Sequence, residues 1–201
     1  MNIISHRRNK IEELKATPRK YGIEVDIRSY CDKLIIHHDP FVIGESFDEW
    51  LDQYKHGTLI LNVKEEGLET RLLELMKKKN IEDYFFLDQS FPFLVKWSKL
   101  GEKRCAVRVS EFESIETALT LAGKVDWVWV DCFTRFPLEK EDELALKNAG
   151  FKLCLVSPEL QGRNAEDEIP ALIKLLQEQN ISADSVCTKR PDLWEKLASQ
   201  S

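Results

Sequence analysis

No apolar run in this 201-residue sequence approaches the roughly 18–20 residues that a membrane-spanning helix needs. The longest, WVWV at 127–130 and LILNV at 59–63, have the length of strands. In the opening MNIISHRRNK the basic cluster follows a very short apolar stretch, and no small-residue cleavage site comes after it, so no secretory leader is read and the expected location is the cytoplasm. Glycine (8) and proline (7) are scarce and no tract repeats, which excludes collagen-like, linker-dominated and disordered chains. Cys31, Cys105, Cys132, Cys154 and Cys187 are odd in number, with no CxxC spacing and no histidine at ligand spacing. A disulfide framework and a zinc site are therefore not expected, and the cysteines read as buried free thiols in a reducing compartment. Positive charge is in deficit, with Lys+Arg 29 against Asp+Glu 35 and a net −6. That balance argues against a nucleic-acid surface and points to a small molecule as partner.

What is present is alternation. Short β-rich runs lie at 2–5, 23–27, 59–63, 84–87, 105–109, 127–132, 152–156 and 185–188, and amphipathic stretches follow at 10–16, 47–55, 68–79, 93–100, 114–122, 140–149, 168–179 and 191–198. An additional run, Leu34 to His38, follows the second strand. Eight βα units in a chain that is 43% hydrophobic predict parallel pairing with right-handed crossovers. The expected fold is a compact (β/α)8 TIM barrel spanning 1–201 as one domain. An open doubly wound sheet is the alternative, but its first βα turn usually carries a Gly-rich phosphate loop, and here SHRRNK occupies that place.

Barrels of this kind do chemistry at the C-terminal ends of their strands. Alternation puts Glu24, Asp26 and Arg28 on one face of the second strand and Ile23, Val25 and Ile27 on the other. Two carboxylates on a buried face require neutralisation, and a hard divalent ion suits oxygen ligands. Alternating charge also suits a solvated edge strand, but a closed barrel has no edge. His6 ends the first strand and His38 the Leu34–His38 run, an acid and base candidate pair, while His56 lies apart. Arg7, Arg8, Arg28 and Lys64 would suit a phosphoryl group through charge-assisted hydrogen bonds. Arg108 and the Ser157-Pro158-Glu159 run are candidates for reading a substrate head group, and Asp131 for supplying further negative charge. Trp127 and Trp129 read as core or wall.

The runs SHRRN, GIEVDIR, LIIHHDP, LNVK and CTKRPDLW together resemble the glycerophosphodiester phosphodiesterase family, a TIM-barrel group related in architecture to phosphatidylinositol-specific phospholipase C. The resemblance implies that Glu24 and Asp26 bind a divalent metal, Mg²⁺ or Ca²⁺ with Mn²⁺ a third choice. It further implies that His6 and His38 are general acid and base, that Arg7 and Lys64 hold the phosphate, and that the partner is a small-molecule phosphodiester. Three positions depart from the family pattern: Arg8 stands for its glycine, Asn62 for a third metal-binding carboxylate and Lys189 for an aspartate. Asn62 can still offer an amide oxygen to the metal, and Asp131 can add charge. Two further readings follow from the residues: a catalytically silent barrel that binds a phosphorylated ligand, and a sugar-phosphate aldolase or isomerase using Lys64 as an amine.

Overall fold

The computed structural model describes residues 1–198. The chain runs β1 (Asn2–Ser5), α1 (Ile11–Ala16), β2 (Gly22–Tyr30), β3 (Lys33–Ile36), β4 (Glu45–Ser46), α2 (Phe47–Gln53), β5 (Leu59–Val63), α3 (Glu69–Lys79) and β6 (Tyr84–Leu87). It continues through α4 (Phe91–Lys99), β7 (Ala106–Val109), α5 (Ile115–Leu119), β8 (Trp127–Val130), α6 (Lys140–Asn148), β9 (Lys152–Val156), a 3-10 turn at Pro158–Gln161, α7 (Ala165–Glu178), β10 (Ser185–Thr188) and α8 (Pro191–Ala198).

Eight of these strands form the expected parallel barrel. From β1 the sheet runs through β2, β5 and β6 in one direction and through β10, β9, β8 and β7 in the other. The ring closes between β6 and β7 through a single bridge, Phe86 to Cys105, with Phe86 N–H donating to Arg104 O at 2.8 Å. The extra run after strand two is β3, which pairs antiparallel with β2 and is extended by β4. Element ends moved little: α7 begins at Ala165 rather than 168, because Asn164 Oδ1 caps it by accepting from Glu166 N–H at 3.0 Å. No helix among the described residues is long and apolar enough to cross a membrane.

The periodicities sort the core into two layers. Outward strand residues such as Ile23, Val25 and Ile27 meet helix residues such as Leu72, Met76 and Trp50. On α3 the buried positions Leu72, Leu75 and Met76 recur at helical spacing, lysines fill its last turn, and Asn80 ends it in the left-handed region at φ 54°. Inside the barrel, Ile4, Ile60, Phe85, Trp127, Trp129, Cys154 and Cys187 form a separate apolar floor. Phe85 stacks on Trp127 at 4.5 Å, and the small cysteines face these large rings, so volume is shared out as close packing demands. Gly22 completes the floor, since a Cβ there would fall 2.6 Å from Thr58 O and 2.8 Å from Ile4 Cγ1. The cysteines are all free, but Cys31 is exposed in the β2–β3 turn rather than buried with the other four.

Above this floor the loops are cross-tied. Glu111, after β7, accepts from the backbone N–H groups of Phe133, Thr134 and Arg135, at 3.1, 2.7 and 2.7 Å, and so joins its loop to the one after β8. Burial opposes its ionisation, but the Arg135 and Thr134 amides outweigh that and draw its pKa down to about 2. A depressed folded-state pKa contributes stability that is complete above the ordinary carboxylate range and is lost as pH falls toward 2. Thermal melts of Glu111→Gln should therefore show lower stability than the parent at neutral pH, with the gap closing between about pH 4.5 and 2. A gap independent of pH over that range would show that the carboxylate's charge contributes nothing.

Candidate active site

The strand alternation that fills the floor with apolar side chains turns polar at the C-terminal end of the barrel. A cavity of about 260 Å³ opens there, lined by His6 and Arg7 after β1, Glu24 on β2, His38 after β3, Asn62 and Lys64 on and after β5, Asp88 after β6, Arg108 on β7, Asp131 after β8 and Lys189 after β10. Both expected histidines thus face one cavity, with Arg7, Lys64 and Arg108.

Glu24 and Asp26 are completely buried, and each is held by several groups. Arg7 adopts a left-handed φ of 52°, which aims its backbone N–H at Glu24 Oε2, 2.6 Å away. Asn62 Nδ2 donates to Glu24 Oε1 at 2.8 Å. Asn9 binds Asp26 twice, Nδ2 to Oδ2 at 2.8 Å and Oδ1 from the Asp26 N–H at 3.0 Å. The Arg7 guanidinium stands 3.1 Å from Asp26 Oδ2 and the Lys64 ammonium 3.2 Å from Oδ1. Lys64 also donates to Asp88 at 3.1 Å; Asp88 then pairs with Arg108, and Arg108 with Asp131. Carboxylate and cation alternate from Arg7 across the mouth to Asp131, whose other oxygen accepts from Gln161 at 2.7 Å and from Cys132 N–H at 2.9 Å.

Burial and then the charge of Asp26 push the Glu24 pKa upward against the opposing pull of Asn62, Lys64 and the Arg7 amide. His6 moves the other way: burial, then Arg7 and Lys189, lower it to about 3, so its ring is neutral, 3.7 Å from Glu24. His38 is more open, and its Nδ1 lies 2.8 Å from Asp39 Oδ1, which leaves the opposite ring nitrogen for the cavity.

The remaining expected residues divide by position. Arg28 does not line the cavity; its guanidinium donates to His38 O at 2.9 and 3.1 Å and to Lys64 O at 3.3 Å, fixing the backbone of two residues that do. Ser157 is buried and accepts from Trp194 Nε1 at 2.8 Å. Glu159 binds Thr188 Oγ1 and the Lys189 N–H, so this run ties α8 and β10 to β9 rather than facing a ligand. Arg8 leaves the mouth open: its carbonyl accepts from Trp50 Nε1 at 3.0 Å, and the residue is absent from the cavity wall. Asn9 and Gln161 had no distinguishing sequence signal, being ordinary loop amides. Asp88 had one, its place directly after the YFFL strand.

Among the described residues no group of three or more His, Cys, Asp or Glu is arranged as a metal site. The oxygen set of Glu24, Asp26 and Asn62 does suit a hard cation. Asn62 Oδ1 is a buried acceptor without a hydrogen-bond donor, and Asp26 Oδ1 is met only by the Lys64 ammonium at 3.2 Å; a buried acceptor left without a donor is an unmet demand for positive charge.

No family model and no curated protein sequence matches the chain. Solved structures do. A glycerophosphodiester phosphodiesterase from Agrobacterium tumefaciens is similar with a TM-score of 0.66 and 15% identity over 96% of this chain and 97% of that one. A glycerophosphoryl diester phosphodiesterase from Parabacteroides distasonis is similar with a TM-score of 0.67 and 14% identity over 99% and 86%. The fold is that of the glycerophosphodiester phosphodiesterases. A tryptophan synthase alpha-subunit from Pyrococcus furiosus, with a TM-score of 0.56 and 12% identity over 93% and 86%, shares the barrel too. One architecture thus carries unrelated chemistries, and the function of this barrel is argued from its site.

Breaking a buried charge pair from one side strands the other charge, at a cost of about 3–5 kcal/mol, whereas exposed pairs contribute about 0–1 kcal/mol. Asp26→Asn should therefore lower unfolding stability by about 3–5 kcal/mol, and Lys79→Ala, which breaks the solvent-accessible ion pair of α3 with Asp52, by under about 1 kcal/mol in denaturant titrations. Equal losses would show that the Asp26 cluster is solvated.

Proposed function

We propose that the chain is a phosphodiesterase that hydrolyses a small-molecule phosphodiester of the glycerophosphodiester or sugar-phosphodiester kind. The observation that carries this reading is the convergence of His6 and His38 with Arg7, Lys64, Arg108 and Lys189 on one cavity. Two proton-transfer groups beside four cations is the composition that phosphoryl transfer needs. The Lys189 side chain has no hydrogen-bond or ion-pair partner among the described residues and is free for an anionic ligand. Lys64 is engaged by Asp26 and Asp88, which sets it against the Schiff-base reading.

In the reaction, an oxygen nucleophile, either a neighbouring hydroxyl of the substrate alcohol or a water, forms a new P–O bond as the P–O bond to the leaving alcohol breaks. His6, neutral and buried, takes the proton from the nucleophile. His38, its ring oriented by Asp39 on Nδ1, gives a proton to the departing alkoxide. Arg7 and Lys189 bind the phosphoryl oxygens, and Arg28 holds His38 in place through its carbonyl. A divalent cation, Mg²⁺, Ca²⁺ or Mn²⁺, would be held by Glu24, Asp26 and Asn62 and would add positive charge beside the phosphoryl group. If the nucleophile is the substrate's own hydroxyl, a cyclic phosphate is the first product and water opens it with the histidine roles reversed.

The test is release of phosphomonoester and alcohol from a panel of glycerophosphodiesters and a chromogenic phosphodiester, with each cation and with EDTA. Turnover should depend on the added cation and fall by at least about 10²-fold in His6→Ala and in His38→Ala, with circular dichroism unchanged. Phosphate binding without turnover under every cation would favour the silent barrel, a reading to which the amide of Asn62 and the Lys189 departure lend weight.

A further inference from the structure

A second cavity, of about 610 Å³, adjoins the mouth and shares Leu87, Asp88 and Arg108 with it. Among the described residues it lies at the one place where neighbouring barrel strands are joined by a single bridge and not a ladder. β6 and β7 meet only at Phe86–Cys105, and the next residue but one, Asp88, turns the chain away with a left-handed φ of 60°. The pairing that would continue from that bridge, Leu87 with Ala106, does not form. The barrel wall is therefore split near its mouth, and one cavity touches both sides of it: Leu87 and Ala106 belong to the interior floor, Leu94 and Val107 to the outer layer under the helices.

The groove's lining is half apolar, from Leu87, Phe91, Leu94, Ala106, Val107 and Phe112, and half polar, with the Gln89 Oε1 buried and without a donor. Its carboxylates are already engaged, Asp88 by Lys64 and Arg108 and Glu113 by Ser110 Oγ at 2.7 Å. At its rim stand Phe91 and Phe112, 49% and 79% exposed, where large apolar side chains are ordinarily covered. Its volume is that of a ligand site, whereas the mouth, at about 260 Å³, accommodates little beyond a phosphoryl group and a short alcohol.

We propose that this seam is the subsite for an apolar alkyl or acyl substituent of the phosphodiester, whose phosphoryl group lies in the mouth against Arg7 and Lys189. The substrate class is then an amphiphilic phosphodiester carrying a hydrocarbon chain. This rests on the reading of the mouth as a phosphodiester site, and it adds where the second substituent goes. The chain leaves the mouth past Asp88 and Arg108, crosses the split wall over Leu87 and Ala106, and emerges between Phe91 and Phe112.

The experiment is calorimetric binding of methyl, butyl, hexyl and octyl phosphate, below micelle formation, beside glycerol phosphate and a sugar phosphate. Each methylene entering the groove should tighten binding roughly fourfold, the equivalent of ~0.8 kcal/mol. Thr117→Trp, on the exposed side of α5 and lining only the groove, should flatten that dependence and leave methyl phosphate binding unchanged. Phe112→Ser, also outside the mouth, should reduce it in case the tryptophan perturbs the helix. Methyl phosphate binding with no gain along the alkyl series, or a gain confined to the glycerol and sugar phosphates, would overturn the apolar subsite and leave the mouth reading standing. A chain-length dependence that survives in both variants would place the chain elsewhere. Failure of every phosphate to bind would remove the mouth reading and the subsite with it.

Discussion

Two carboxylates forced into the interior of a barrel govern the rest of this molecule. The period-two alternation of β2 seats Ile23, Val25 and Ile27 under the helices, and the same alternation drives Glu24 and Asp26 inward with no solvent to screen them. An isolated charge there would cost too much to persist. Arg7, Asn9, Asn62 and Lys64 are accordingly gathered around the pair from β1 and β5. Lys64 passes the requirement on to Asp88, Asp88 to Arg108, and Arg108 to Asp131, so one constraint on one strand organises charge across the whole mouth.

This network separates positioning from contact. Arg28 and Asn9 spend their hydrogen bonds on the protein and fix where His38 and Asp26 stand. Lys189 and the outer guanidinium of Arg7 remain available to an anion. The mouth is thus preorganised, with its dipoles and charges already aligned before a substrate arrives, which is the condition under which electrostatic stabilisation of a transition state is effective. The left-handed turns at Arg7 and Asp88 serve the same site. One aims an amide at Glu24, and the other bends β6 away from β7 and opens the wall.

Much of the architecture could be read along the chain because it depends on local periodicity. Eight alternating runs predicted the barrel, and strand parity separated Glu24, Asp26 and Arg28 from Ile23, Val25 and Ile27 on the second strand. The site was legible where it lay within a strand or just beyond it, as with His6, Lys64 and Asp131. It was not legible where a loop amide does the work: Asn9 and Gln161 are recognisable only once their carboxylate partners are within reach. Ser157 and Glu159 misled for the converse reason. They are polar at a strand end, yet Trp194 and β10, distant in sequence, absorb their hydrogen bonds.

By itself, then, the sequence determined the strand and helix order, the faces, and the presence of a charged mouth, because spacing and side-chain chemistry are properties of neighbouring residues. Tertiary structure alone decided which charges pair across the mouth, that Arg28 holds backbone and that Arg8 points away from the cavity. It also decided that β6 and β7 barely touch. Those outcomes depend on the closure of a ring of eight strands, in which residues far apart along the chain are brought to a few ångströms and each buried charge takes the partner that geometry leaves within reach.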